Sequence, residues 1–523
     1  MRNGIAAVML VAATAGWAQT AEAPAKPAEE PPQGEDVKPP AQSEAADTPG
    51  RPSEEAIFGS EPQLPSPAKE TRQEPTDEES QRLTPGIRDR FADQEVVDNP
   101  LDIGGLFYQR LAATNREGSK FKDTTLSAPT LVDAYLDARP NDRLRAMVLA
   151  RLQYDPTLGA AAANPLLPRA APNDATSTGS TTSALFSLFG QPRENPSVVL
   201  DQLWLRFDVL RTVFVTAGKQ HVKWGAGRFW TPTDFLHPAR RDALALFDVR
   251  TGANMVKFHV PVEKTGSNFY AIALFDNFGT ADALGKVGGA FRAESAVGKA
   301  ELGVDAVLQR GQRPRYGFDL SSAVGPFDVY GEVALKAGPY PRWIRTQGPP
   351  SLLGTPTYSI VRELQGVSTL AATGGINWTF AYAENDTATV GLEYFHNTAG
   401  YDNPELYPWL LLSGEFQPFY VGRQYAGAYF LLPAPGSWDK TNFILSTLGN
   451  LADRSFVSRL DFTVRVLTHL TVEANASVFY GSKQGEFRLG LDVRESVVNG
   501  IPIPALSVPA QWLQFGLGLR MEI

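Results

Sequence analysis

Lys299–Gln309 reads KAELGVDAVLQ. Ala300, Leu302, Val304, Ala306 and Leu308 share one parity; Glu301, Asp305 and Gln309 share the other. A period of two puts each set on its own face of an extended strand. One face is apolar from end to end, and the other carries charge. The run is longer than the five or six residues usual in soluble strands. It matches the roughly ten residues that a tilted strand needs to cross a hydrocarbon layer.

The same text recurs along the chain. In Arg143–Tyr154, Leu144, Ala146, Val148, Ala150, Leu152 and Tyr154 oppose Arg143, Arg145, Met147, Leu149, Arg151 and Gln153. In Arg459–Val466, Leu460, Phe462, Val464 and Val466 oppose Arg459, Asp461, Thr463 and Arg465. Gly485–Arg494 reads alike, with Phe487, Leu489, Leu491 and Val493 against Glu486, Arg488, Asp492 and Arg494. The last stretch alternates Leu513, Phe515, Leu517, Leu519, Met521 and Ile523 with Gln514, Gly516, Gly518, Arg520 and Glu522. It resembles the closing strand of outer-membrane proteins, which usually ends in Phe or Trp; Ile523 departs from that.

Turns alternate in length. Pro140-Asn141-Asp142, Leu210-Arg211-Thr212, Val297-Gly298, Gly325-Pro326 and Leu467-Thr468-His469 are tight. About 155–198, 224–250, 338–365 and 397–421 are long and rich in Pro, Gly and aromatics. This asymmetry belongs to membrane barrels. The fold class expected is all-β: a transmembrane antiparallel up-and-down β-barrel of about 16–18 strands, 18 being the favoured count, behind a disordered N-terminal tail. Near 432–455 and 481–508 the alternation and the strand parity cannot be made to agree. Soluble β-sandwiches, propellers and solenoids also alternate, but the strands here are long and no fixed repeat period is present.

Mean hydropathy is −0.20 and 43% of residues are hydrophobic, far too polar for a helical membrane protein but ordinary for a barrel wall. Cysteine is absent, which excludes disulfides, thiolate metal sites and a lipidated Cys. The net charge of −9 is uneven: Gln19–Asp102 holds 20 acidic and 8 basic residues, and the remainder from Ile103 onward carries about +2. Nothing suggests a nucleic-acid partner.

Arg2 followed by the apolar run Ile5–Trp17, with Gly16-Trp17-Ala18 at its end, reads as a secretory signal peptide over 1–18. Residues 19–103 are acidic and Pro-rich, with too little apolar surface to offset ordering entropy, and are expected to be a disordered periplasmic tail. The barrel is assigned to 104–523. Expected partners are outer-membrane lipid, the barrel-assembly machinery during biogenesis, and a periplasmic protein or the cell wall reached through the tail.

The densest local signature is Ala217–Pro238, AGKQHVKWGAGRFWTPTDFLHP. A strand, bulged at its glycines, runs into an aromatic loop whose marked residues are Lys219, Gln220, Trp224, Gly225, Gly227, Trp230, Pro232 and Asp234. The pattern resembles a segment of large porin-like and alginate-export-type barrels, in which a Gly-Lys/Arg-Gln strand precedes Trp-Gly and a Pro-x-Asp loop. The resemblance implies the barrel class, and a loop that either packs or lines the pore.

A charge on the lipid face costs about 2–4 kcal/mol at midplane, so charges on the second face should point inward. The residues expected to line the lumen are Arg143, Arg145, Arg151, Arg206, Asp208, Arg292, Glu294, Glu301, Asp305, Glu332, Arg459, Asp461, Arg465, Glu486, Arg488, Asp492 and Arg520. Both signs are mixed, which fits structural ion pairing as well as an arginine path for anions. Phe107, Tyr108, Trp204, Trp378, Tyr394, Trp409, Tyr480 and Trp512 are candidates for interfacial aromatic belts. His221, His237, His259, His396 and His469 lie apart, and no G-x-S-x-G, P-loop or HExxH motif occurs, so neither an enzyme nor a cofactor is expected. The function expected is an outer-membrane channel for passive passage of hydrophilic solutes, anionic ones included. The alternatives are a polysaccharide-export barrel working with periplasmic export machinery, and a surface structural or adhesive barrel with a plugged lumen.

Overall fold

A computed structural model describes residues 100–158, 195–237, 239–245, 248–275, 284–351, 354–384 and 386–523. The signal peptide and the tail assigned from sequence lie outside these residues except for 100–103, of which Leu101–Ile103 are the start of the first wall strand.

Eighteen strands form the wall. They are β1 (Leu101–Arg116), β2 (Thr130–Asn141), β3 (Leu144–Tyr154), β4 (Ser197–Val209), β5 (Val213–Gln220), β6 (Ala253–Val262), β7 (Ser267–Leu274), β8 (Gly288–Val297) and β9 (Ala300–Leu308). The second half comprises β10 (Arg315–Val324), β11 (Phe327–Ala337), β12 (Ser368–Ala381), β13 (Thr387–Asn397), β14 (Gln424–Pro433), β15 (Thr441–Asn450), β16 (Ser455–Leu467), β17 (Leu470–Gly481) and β18 (Gln511–Glu522). Each pairs antiparallel with its neighbours in sequence, and β1 pairs with β18 from Leu106↔Glu522 to Arg116↔Gln511. That pairing closes the sheet and leaves no edge. Closure matters because hydrocarbon offers no partner to a free peptide group, and each one left unpaired there costs several kcal/mol.

The even strand count returns both ends of the barrel to one rim. The eight connections at that rim are two to seven residues long, and they include all five tight turns read from the sequence. The opposite rim carries the longer connections, among them 221–252, 338–367, 398–423 and 482–510. Within them, Tyr340–Gln347 pairs with Thr357–Gln365, and the latter adds Ser496–Val498 in parallel. A six-residue helix, Tyr407–Leu412, packs Tyr407 and Leu410 against Ile360, Leu489 and Val498 beside that small sheet.

The outward parity is a continuous apolar band. Leu111, Phe291, Val304, Phe318, Leu392, Leu445, Phe515 and Leu517 are all exposed there. On a soluble protein such a surface would drive aggregation; on this one it is the face that meets lipid.

Three sequence readings need correction. Gly485–Arg494 is not a wall strand: 482–490 is a compact turn, and only Leu491–Val493 is extended, pairing with Leu506–Val508. Its alternation is real but serves a turn that buries Phe487 and Glu486 together. Glu486, Arg488 and Asp492 therefore leave the wall. Among the aromatics, Trp378, Tyr394 and Tyr480 are exposed on the outward parity and Trp512 is exposed at the register shift that opens β18, whereas Tyr108 is buried inside, Trp204 points inward and Trp409 sits on the short helix. The parity conflict near 432–455 has a packing cause. There Leu431 and Leu448 face inward and are fully buried, while Phe430 and Leu445 face outward, so both faces are apolar and no period-two polarity survives.

Leu517 is 60% exposed and lies midway along β18. Leu517→Arg should destabilise the barrel by about 2–4 kcal/mol in unfolding titrations in lipid vesicles. Wild-type stability in that variant would mean that this face does not meet hydrocarbon.

Candidate functional site

The inward parity carries charge, and many of its arginines are paired with carboxylates. Arg143 contacts Asp208 at 2.9 Å, Arg145 contacts Asp137 at 2.8 Å, and Arg151 bridges Asp133 at 2.8 Å and Asp201 at 3.1 Å. On the far side Arg292 spreads over Glu294 (2.6 Å), Asp305 (3.1 Å) and Asp319 (2.7 Å). This fan lies flat because Gly303 and Gly317 leave room: a Cβ on Gly303 would sit 2.6 Å from Arg292 Nη2 and Asp319 Oδ1. Arg459 pairs with Asp461, and Arg520 lies 3.7 Å from both Glu473 and Glu522. Glu301 accepts from Ser321 at 3.4 Å, and Arg465 is exposed at the inward register near the short-turn rim. Arg206 stands opposite Arg145 across the β3–β4 ladder, and both guanidiniums lie over the Trp204 ring, 5.4 and 5.6 Å from its centre.

Exposure changes along the lumen. The side chain of Arg143 is 52% exposed, that of Arg145 33% and that of Arg151 1%. All three lie on or beside β3 and point inward, so the lumen is roomy at the short-turn rim and filled toward the long-loop rim.

What fills it is the segment 221–252. It leaves β5 and touches the wall on several sides. Val249 O accepts from Arg151 on β3, Phe235 O from Arg315 on β10, and Leu244 O from Arg459 on β16. Two buried carboxylates hold its centre. Glu393 on β13 accepts the backbone N–H groups of Arg228, Phe229 and Trp230 at 2.9–3.2 Å. Glu332 on β11 accepts those of Gly227 and Thr233, at 2.5 and 3.1 Å, and the Thr233 hydroxyl at 2.7 Å. Hydrogen bonds from amides to an ionised carboxylate are among the strong ones. Gly225, at φ +96°, is needed for approach: its Cβ would fall 2.5 Å from Glu332 Oε1.

Apolar contacts add to the clasp. Trp230 stacks on Phe395 at 5.6 Å and 9°, and its indole N–H donates to Phe419 O at 2.9 Å. Phe229, Trp230 and Leu244 pack with Tyr425, Tyr429, Leu431, Leu448, Val457 and Phe479 of the wall. Trp224 and Phe235 form a second group with Met255, Ile272, Leu274 and Val307. Burying each such side chain contributes roughly 1.5–3 kcal/mol. Of the marked residues in the Ala217–Pro238 signature, Trp224, Gly225, Gly227, Trp230, Pro232 and Asp234 belong to this packed segment. Lys219 and Gln220 end β5, where Gln220 is buried and donates to Thr216 O.

Asp234 anchors the later half. Burial alone would raise its pKa, but His237 at 3.0 Å and Arg250 at 2.7 Å hold the carboxyl well below the usual range. His237 in turn stacks on His221, whose Nε2 lies 3.0 Å from Asp201.

A third carboxylate closes the top. Glu486 Oε2 accepts from Tyr425 (2.6 Å) and Asn450 (2.8 Å), and its other oxygen accepts the Phe419 N–H. Arg488 ties the same turn to Glu117 and to Gln511 O. Asp492 is exposed on the outer connection.

The sequence reading missed Glu393, Asp133, Asp137, Asp201 and Asp319. Asp133 and Asp137 share their parity with Leu131 and Tyr135, and Glu393 shares its with Phe395, so no clean polar face marked them. Inward parity itself was the available signal.

Burial, then the nearby Asp453 charge, raises the Glu486 pKa to about 8. A carboxyl raised on folding stabilises the folded state below its unfolded value of roughly 4.3 and loses that contribution as pH rises through the folded value. Protection factors in 416–423 and 482–490, that is, exchange corrected for the intrinsic rise of amide exchange with pH, should therefore fall between pH 5 and pH 9. Glu486→Gln, which fixes the uncharged form, should flatten the dependence; protection that is already independent of pH in the parent would exclude Glu486 as its source.

No protein-family model matches the chain, and no curated protein matches it. Solved structures do. OccAB1 of Acinetobacter baumannii is 12% identical over 81% of this chain and 97% of that one, with a TM-score of 0.45. OpdK of Pseudomonas aeruginosa, solved with vanillate, is 11% identical over 81% and 98%, at 0.43. A BenF-like porin of Pseudomonas fluorescens is 9% identical over 81% and 98%, at 0.45. The chain is similar to these outer-membrane porins, and its own strand pairing makes it a closed 18-stranded antiparallel barrel.

Proposed function

We propose that the protein is a passive outer-membrane channel for hydrophilic solutes, with its bore set by the segment 221–252. The observation that carries this reading is the contrast within one lumen. An 18-stranded wall encloses a space wider than its own side chains can fill. The charged inner face is exposed at the short-turn rim and is covered where Glu332 and Glu393 hold the inward segment. The short-turn rim is the periplasmic one in barrels of this type. A solute would pass from the long loops through a narrow upper half into a wide, polar vestibule.

The paired wall charges favour water over lipid without giving the lumen one sign. Selectivity for anions has to come from cations without such partners. No bond is made or broken in this mechanism, and no cofactor enters it.

Planar-bilayer recording of the full chain tests the reading. The parent should show discrete conductance steps, and a persistently silent, inserted protein would sink it. Glu393→Ala strands three buried amides, each costing about 1–3 kcal/mol when left unpaired, and should release the segment. Larger and noisier steps are expected, with heat-dependent gel migration preserved. Steps of unchanged size in that variant would remove 221–252 as the constriction.

A further inference from the structure

At the long-loop end of the lumen four cations converge without a carboxylate. Arg315 on β10 and Lys336 on β11 are direct partners across the ladder, and both are on the inward parity. Like charges placed directly opposite on one face of a sheet repel and destabilise it. Arg313, in the connection before β10, folds along the end of β11, and its Nη1 donates to Gly338 O at 3.2 Å and Lys336 O at 3.4 Å. Arg240, from the inward segment, donates to Asp234 O at 3.4 Å, next to Phe235, whose carbonyl accepts from Arg315 at 3.0 Å. Arg240 also faces the Tyr420 ring, 5.3 Å from its centre.

Every acceptor named here is neutral, as is the amide oxygen of Gln309 that receives the other Arg315 amino group. Among the described residues no ion pair involves any of the four, and Arg315 Nε is buried without a hydrogen-bond partner. The contrast with the wall is sharp. Arg143, Arg145, Arg151, Arg292 and Arg459 each have a carboxylate within 3 Å or so.

We propose that Arg240, Arg313, Arg315 and Lys336 form a binding site for the oxyanion group of a solute, a carboxylate or a phosphate, at the entrance to the constriction. An oxyanion there would receive donors from three guanidiniums and an ammonium and cancel the Arg315–Lys336 repulsion. Because Arg315 and Lys336 face the lumen, the ligand is a dissolved anion and not a lipid headgroup. The identity of the solute rests on the channel reading, but binding does not require conduction.

The test uses the full chain in detergent, with inorganic phosphate added at constant ionic strength and chloride as the background anion. Calorimetric titration should show saturable binding, and the thermal unfolding midpoint should rise with phosphate. Lys336→Gln and Arg315→Gln should each weaken phosphate binding at least tenfold, while Lys299→Gln at the opposite rim leaves it unchanged. Without phosphate, Lys336→Gln should unfold at a higher temperature than the parent, because it removes the repulsion; with saturating phosphate the order should reverse. No binding by the parent, equal binding by Lys336→Gln, or a lower midpoint for that variant in chloride alone would each overturn the site. A protein that binds phosphate but stays silent in bilayers would sink the channel reading and leave the site standing; one that conducts without binding phosphate would do the opposite.

Discussion

The pairing of β1 with β18 is the constraint from which the rest of the molecule follows. Peptide groups facing hydrocarbon have no water to bond, so the sheet either closes or does not exist in the membrane. Closure over 18 strands sets the circumference, and the circumference sets a lumen that wall side chains cannot fill. The consequences are inward. Charges that would be costly on the lipid face turn to the lumen and pair there, as Arg151 does with Asp133 and Asp201. The remaining space takes up a chain segment.

That segment makes the barrel unlike a simple pipe. Residues 221–252 bring their own apolar surface, so part of the wall becomes apolar on its inner face to receive it: Phe395, Tyr425, Leu431 and Leu448 all point inward and are buried. Glu332 and Glu393 are buried among these groups and are matched by backbone amides instead of cations. A carboxylate satisfied in this way fixes the path of the main chain, whereas an ion pair fixes only two side chains. The wall arginines and the clasping glutamates thus divide the work: the first hold strand to strand, the second hold the inward segment to the barrel. The four cations at the outer end follow neither pattern, which is why they point to something outside the chain.

Much of this is legible in the amino-acid sequence. Alternation at Lys299–Gln309 and Arg143–Tyr154 is enough to give the strand faces, and the tight turns give one rim. The failures were physical, not accidental. Near 432–455 the polar face vanished because the inner surface there is a core. Gly485–Arg494 alternated without being a strand, because a turn that buries Phe487 beside Glu486 generates the same text over ten residues. The Ala217–Pro238 signature could be marked as dense, but whether it lay outside or inside the barrel was not written in its residues.

The sequence alone determined that strands of membrane length exist here, that each has a lipid face and a polar face, and that their connections alternate short and long, because period-two polarity and turn chemistry are local properties. Only the tertiary structure decided which charges are paired and which stand alone. Arg315 and Lys336 look no different in the text from Arg145 and Arg151; what separates them is whether a carboxylate from another strand reaches them, and that depends on register and on where a distant segment folds.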